Sequence, residues 1–273
     1  MFSSTCDIEV DGAVLAVEFV QCDGASTAPV VFLHAGVADS RMWDAQQATV
    51  RARRSTLRYD RRGFGITKVR RPATHSLVGD LCAVLDGVGV ERADFVGCSQ
   101  GGRIALDLAL AAPERVASLL LVAPAVSGAP DLAPEESTDS LARAIEAAET
   151  SNDLDRVNEL EAQLWLDGPA GPVRRVGGSA RELFLDMNGK ALRSPITGDA
   201  VEAPSAWHRL EDVRCPSCIV WGDLDLPHLQ CRCELIVERI KWARRVVFPG
   251  VAHLLPLEAP DHFNATLMAF LLR

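Results

Sequence analysis

The chain has 273 residues, 48% of them apolar, which is enough to bury a sizeable core. With 28 basic and 37 acidic residues the net charge is -9, so there is no electrostatic footprint for nucleic acid and no match to an anionic membrane surface. The expected partner is a small molecule. No apolar run approaches the roughly 18 residues of a membrane-spanning helix. The first residues, Met1 to Asp7, lack a basic stretch followed by an apolar run, so a soluble cytoplasmic protein is expected. Composition leaves monomer and homodimer both open.

In chain order, two short strands are expected near 5–10 and 13–20, joined by the hairpin signal Asp11-Gly12. Pro29 to His34 forms a continuous apolar run that suits a strand buried on both faces. Further strand-like runs are 55–59, 93–97 and 116–122. Leu77, Leu81, Val84, Leu85 and Val88 make one helical stripe. The segment after Ser99 is apolar nearly all round, so it reads as a buried helix that Pro113 stops. Strands alternating with helices argue for a parallel sheet covered on both faces.

The alternation breaks after Ala123-Pro124. Residues 125–140 are rich in Pro, Ser, Gly and acids. Residues 139–166 read as one helix, with Leu141, Ile145, Leu154, Val157, Leu160, Leu164 and Trp165 as apolar anchors. A second helical segment runs to about 193. Residues 124–212 therefore read as a helical insertion into a core made of 1–123 and 213–273. The core pattern resumes with the strand Cys218-Ile219-Val220-Trp221, a helix over 229–240, a strand at 245–248 and a last helix from Pro260.

Gly97-Cys98-Ser99-Gln100-Gly101 lies where a buried strand meets a buried helix, the context in which a G-x-S-x-G pattern marks a nucleophile. Such a turn needs small residues two before and two after the nucleophile. Ser99 has Gly97 and Gly101 there, whereas Cys98 would have Val96 and Gln100, so Ser99 is the candidate. The plainer alternative is a serine that only caps the helix. A serine hydroxyl needs an adjacent base. His208, His228, His253 and His262 follow Ser99, and His253 sits just past the last strand, at the sheet edge where ligands bind. Asp225, in the loop Gly222-Asp223-Leu224-Asp225, is the expected acid, preferred over Asp223 because it has more reach. Arg61 and Arg62 read as exposed loop arginines.

The motifs Leu33-His34-Ala35-Gly36, Tyr59 to Gly65, Gly97 to Gly102, Gly222 to Asp225 and Ala252 to Pro260 together resemble the α/β-hydrolase fold superfamily. Within it the chain is similar to small bacterial carboxylesterases, cofactor-free haloperoxidase-like enzymes and 3-oxoadipate enol-lactonases. The resemblance implies a mostly parallel eight-stranded sheet with helices on both faces and a helical cap at the insertion. It implies hydrolysis of a small ester or lactone through an acyl-enzyme on Ser99. Ala35 stands at the usual oxyanion-loop glycine, so the backbone N–H groups of Gly36 and Gln100 would form the oxyanion hole. Trp165, Phe184, Met187, Trp207 and His228 are candidate pocket residues, with packing inside the cap as the alternative for the first four.

No metal or organic cofactor is expected. Three competing readings are a C–C bond hydrolase on the same fold, a slow-turnover signal receptor, and a zinc module on Cys215, Cys218, Cys231 and Cys233. Cys218 opens a buried strand, which favours small buried hydrophobes over zinc ligands.

Overall fold

A computed structural model describes residues 2–22, 27–130 and 136–272. The strands are β1 (Phe2–Val10), β2 (Ala13–Gln21), β3 (Val30–Leu33), β4 (Thr56–Tyr59), β5 (Lys68–Val69), β6 (Ala93–Cys98), β7 (Val116–Val122), β8 (Ser217–Gly222) and β9 (Ala243–Phe248). Eight of them form one continuous path, β1-β2-β4-β3-β6-β7-β8-β9. From β4 to β9 every pairing is parallel, while β2 pairs antiparallel with both β1 and β4. The expected count of eight becomes nine because β5 pairs with β2. Two residues are too few for a periodic signal.

The β1–β2 hairpin turns at Gly12, whose φ of 77° is open to glycine at little cost. A Cβ there would lie 2.7 Å from the Arg71 carbonyl oxygen. Alternation along the central strands then divides the core in two. Val31, Leu33, Phe95, Leu119, Leu121, Ile219 and Trp221 face one side. That side is covered by α2 (Leu77–Gly87), α3 (Gln100–Ala111) and α7 (Pro227–Arg239). Phe32, Val96, Cys98, Leu120, Val122 and Val220 face the other, under α1 (Asp44–Val50) and α9 (Pro260–Leu271), with the short α8 (Leu255–Glu258) before α9. Both faces are buried, which is why the strands read as continuous apolar runs.

Between β7 and β8 the chain is helical. It contains α4 (Glu136–Thr150), α5 (Leu154–Ala162), one turn of π-helix at Gln163–Asp167, and α6 (Gly178–Leu192). Residues 131–135 of this insertion lie outside the described residues. The single helix expected over 139–166 is thus two helices and a π turn. Asn152 takes a left-handed φ of 55°, and the Asp153 carboxylate accepts the Arg156 N–H at 3.0 Å, starting a new helix. The apolar anchors on either side kept their spacing across the break, which hid it. No helix among the described residues is long and apolar enough to cross a membrane.

Candidate active site

The parallel register brings four loops to one edge. Leu33 pairs with Gly97, Cys98 with Val122, Val122 with Val220, and Gly222 with Phe248. The residues after β3, β6, β8 and β9 therefore emerge side by side at the strands' carboxyl ends. Those are Gly36, Ser99, Asp225 and His253.

Ser99 turns the chain from β6 into α3 at φ 51°, ψ −113°. A non-glycine residue held there carries backbone strain of roughly 1–3 kcal/mol. Surrounding bonds hold it in place. Its N–H donates to the Val122 carbonyl at 2.8 Å, and its carbonyl accepts the N–H groups of Arg103 and Ala125 at 3.0 and 3.1 Å. The flanking glycines have a steric cause. A Cβ on Gly97 would come within 2.5 Å of the Gly101 carbonyl oxygen, and a Cβ on Gly101 would run into the Leu33 carbonyl. Ser99 is half-buried, at the positive end of a helix that favours developing negative charge. Its neighbour Cys98 is fully buried. Burial first, and the Asp225 carboxylate second, push the Cys98 thiol up. That thiol stays protonated, as expected for a packing residue.

His253 Nδ1 lies 2.7 Å from Asp225 Oδ2, and the two residues are only 2% and 3% exposed. The second Asp225 oxygen accepts the Leu226 N–H at 2.7 Å. Asp223 is exposed and accepts the Gly250 N–H at 2.6 Å, so it holds the turn before His253 and does not touch the imidazole. Gly36 faces Gln100: a Cβ on Gly36 would sit 3.4 Å from Gln100 Oε1. His34 is buried, and desolvation pulls its imidazole well below the usual range, so it is neutral.

The helical insertion rests on this edge. The Trp165 ring lies 4.8 Å from the His253 ring, centroid to centroid. The π turn carries Trp165 there, and such turns often mark functional sites. Phe184 and Met187 are fully buried in the same apolar cluster, behind Trp165. Trp207 is elsewhere: it packs into the opposite cluster with Arg239 over its ring. His228 is half-buried in the first turn of α7, three residues past Asp225. His208 and His262 are exposed.

Three residues that sequence reasoning missed support the edge. Arg175 donates to the carbonyls of Leu166 (3.0 Å), Asp167 (2.7 Å) and Gly250 (3.1 Å), and pairs with Glu258. Glu258 in turn accepts the Ala252 N–H at 2.8 Å. Arg175 and Glu258 thus tie the π turn to the His253 loop. The third is Arg61.

Both loop arginines expected to be exposed are buried, Arg61 at 3% and Arg62 at 6%. Hydrogen-bond partners make this tolerable. Arg62 makes a bidentate pair with Asp80, at 2.6 and 3.0 Å, and also donates to the Asp11 carbonyl. Removing one side of a buried pair leaves an uncompensated charge. Asp80→Asn is therefore expected to cost about 3–5 kcal/mol, read as a lower urea midpoint at unchanged m-value.

A groove of about 410 Å³ lined by Cys6, Glu18, Arg41, Arg58, Asp60 and Ile66, among others, contains none of the candidate catalytic residues. No three His, Cys, Asp or Glu side chains among the described residues group closely enough to hold a metal ion.

The fold that carries this arrangement matches a known family. The chain belongs to the alpha/beta hydrolase family, whose model matches residues 30–266. A protein of Azorhizobium caulinodans named as a carbamate hydrolase, RutD, is 36% identical over 277 residues, covering 92% of this chain and 94% of its own length. Rhodomycin D methylesterase DnrP of Streptomyces peucetius is 26% identical, covering 89% of this chain and 90% of its own. The crystal structure of a hydrolase from Pseudomonas aeruginosa has a TM-score of 0.77 at 26% identity, over 98% of each chain.

Proposed function

We propose that this protein is a serine hydrolase that cleaves a small carboxylic ester or lactone through an acyl-enzyme on Ser99. The observation that carries this is the buried 2.7 Å contact between His253 Nδ1 and Asp225, on the same sheet edge as the strained Ser99 turn. With Nδ1 donating to Asp225, His253 Nε2 is left as an acceptor, the tautomer a general base needs. Ser99 Oγ attacks the carbonyl carbon and His253 takes its proton. The oxyanion rests on the N–H groups of Gly36 and Gln100. Collapse breaks the bond to the leaving oxygen, which His253 protonates. Water then repeats the two steps and frees the acid. No step draws on a metal or an organic cofactor.

The relatives support this reading. The methyl ester and the carbamate that two of them are named for each present an acyl carbonyl carrying a leaving heteroatom, as a lactone does. Residues 124–212 would form the cap, with Trp165 over the catalytic imidazole and Phe184 and Met187 packed behind it.

A panel of short-chain p-nitrophenyl esters and unsubstituted lactones tests the substrate class. Saturable turnover of at least one member is expected, with kcat above 1 s⁻¹ or so as in ordinary enzymes. Stoichiometric binding with no turnover across the panel would favour a receptor.

A further inference from the structure

Arg61 is a buried guanidinium without a carboxylate. Among the described residues it makes no ion pair, its Nε has no hydrogen-bond partner, and desolvation pulls it down to about pKa 10. Such a residue costs stability unless its remaining bonds do something. Those bonds are specific. Nη1 donates to Gln100 Oε1. Nη2 donates to the Ala35 carbonyl at 2.8 Å and reaches the His34 carbonyl at 3.3 Å.

His34 completes the arrangement. The Arg61 backbone N–H donates to His34 Nε2 at 3.1 Å, so the neutral ring carries its proton on Nδ1. Nδ1 then donates to the Ala35 carbonyl at 2.8 Å. That carbonyl accepts from His34 and from Arg61, and at the longer distance of 3.4 Å from the Ala38 N–H. Ala35 O and Gly36 N–H belong to one peptide unit, and the described residues contain no cis peptide. In a trans unit the C=O and N–H point opposite ways. Fixing the carbonyl on Arg61 therefore fixes the direction of the Gly36 N–H. The same guanidinium holds the side chain of Gln100, whose own N–H is the second oxyanion donor.

We propose that Arg61 is the positioning residue of the oxyanion hole, clamping the Ala35–Gly36 peptide and Gln100 in one guanidinium. It does not touch the substrate. The role rests on the acyl-enzyme reading above. It also accounts for a loop in which alanine replaces glycine: the peptide is oriented by its bonding partners.

The test compares wild type with Arg61→Met, Arg61→Lys and Ser99→Ala. The readouts are p-nitrophenyl butyrate kinetics, affinity for an alkyl boronic acid, and thermal unfolding. A boronic acid forms a tetrahedral adduct with the serine and so reports on the hole itself. Arg61→Met is expected to lose about 100-fold in kcat, the scale of a misplaced or missing donor, with KM within about threefold. Boronate affinity should fall in parallel. Arg61→Lys, which reaches one carbonyl but not both anchors, should recover part of each loss. Wild-type kcat and boronate affinity in a folded Arg61→Met would overturn the proposal, as would a raised KM at unchanged kcat. If Arg61→Met does not fold, Arg61→Lys decides: a tenfold or greater loss of kcat at unchanged KM supports the clamp, and wild-type kcat contradicts it. Ser99→Ala separates the two failures. If its turnover equals wild type, the acyl-enzyme reading is wrong and the clamp falls with it. If turnover depends on Ser99 while Arg61→Met keeps wild-type kcat, only the clamp falls.

Discussion

Ser99→Ala is expected to leave a folded protein whose ester turnover is lower by on the order of 10⁶-fold, the loss found when a nucleophile acting as a unit with its base is removed. The fold should survive because the bonds that hold the turn come from the backbone of residue 99. Its N–H reaches Val122, and its carbonyl serves Arg103 and Ala125. Thermal unfolding should show little change, since alanine meets the same φ of 51°. Activity should be lost without any loss of substrate binding, because the hydroxyl is needed for the covalent step. A double variant, Ser99→Ala with His253→Ala, should be no worse than the single one. Additive losses would mean that the two groups do not act together.

The second large effect separates two aspartates two residues apart. Asp225→Asn is expected to cost about 10⁴-fold in kcat, because an amide favours the wrong imidazole tautomer and cannot balance the imidazolium. Asp223→Asn should stay close to wild type. Asp223 is exposed and serves as an acceptor for the Gly250 N–H, which an asparagine oxygen replaces. The ratio of the two kcat values is the measurement. A dead Asp223→Asn beside an active Asp225→Asn would move the acid role to Asp223.

The core alternation and the order of the loops were legible in the sequence because each rests on short-range physics. Continuous apolar strands announce a sheet buried on both faces. A serine between two glycines after such a strand announces a turn with no room for Cβ atoms, and Gly97 and Gly101 meet backbone there. That Asp225 and His253 meet at one edge was legible because they follow strands whose register aligns their ends. The break in the insertion at Asn152 was not legible. Apolar spacing continued across it, and a left-handed asparagine leaves no mark on hydrophobicity. The arginines misled for a different reason. Arg61 and Arg62 are polar by type, and their burial depends on the carbonyls of Ala35 and Asp11 and on Asp80, all distant in the chain. Arg175 and Glu258 are 83 residues apart, and nothing local links them. Trp207 faces Arg239 because the chain crosses back to the core before β8, a path that composition does not encode.

The covalent role proposed for Ser99 has a direct chemical test. The most direct measurement is intact-protein and tryptic mass spectrometry after treatment with an alkyl fluorophosphonate. Attack by Ser99 Oγ on phosphorus expels fluoride and leaves a stable phosphonyl ester. One adduct per chain is expected, located at Ser99 in the tryptic peptide 93–103, with loss of esterase activity in step with labelling and no adduct in Ser99→Ala. Labelling at another residue, or full inactivation with Ser99 unmodified, would contradict that role.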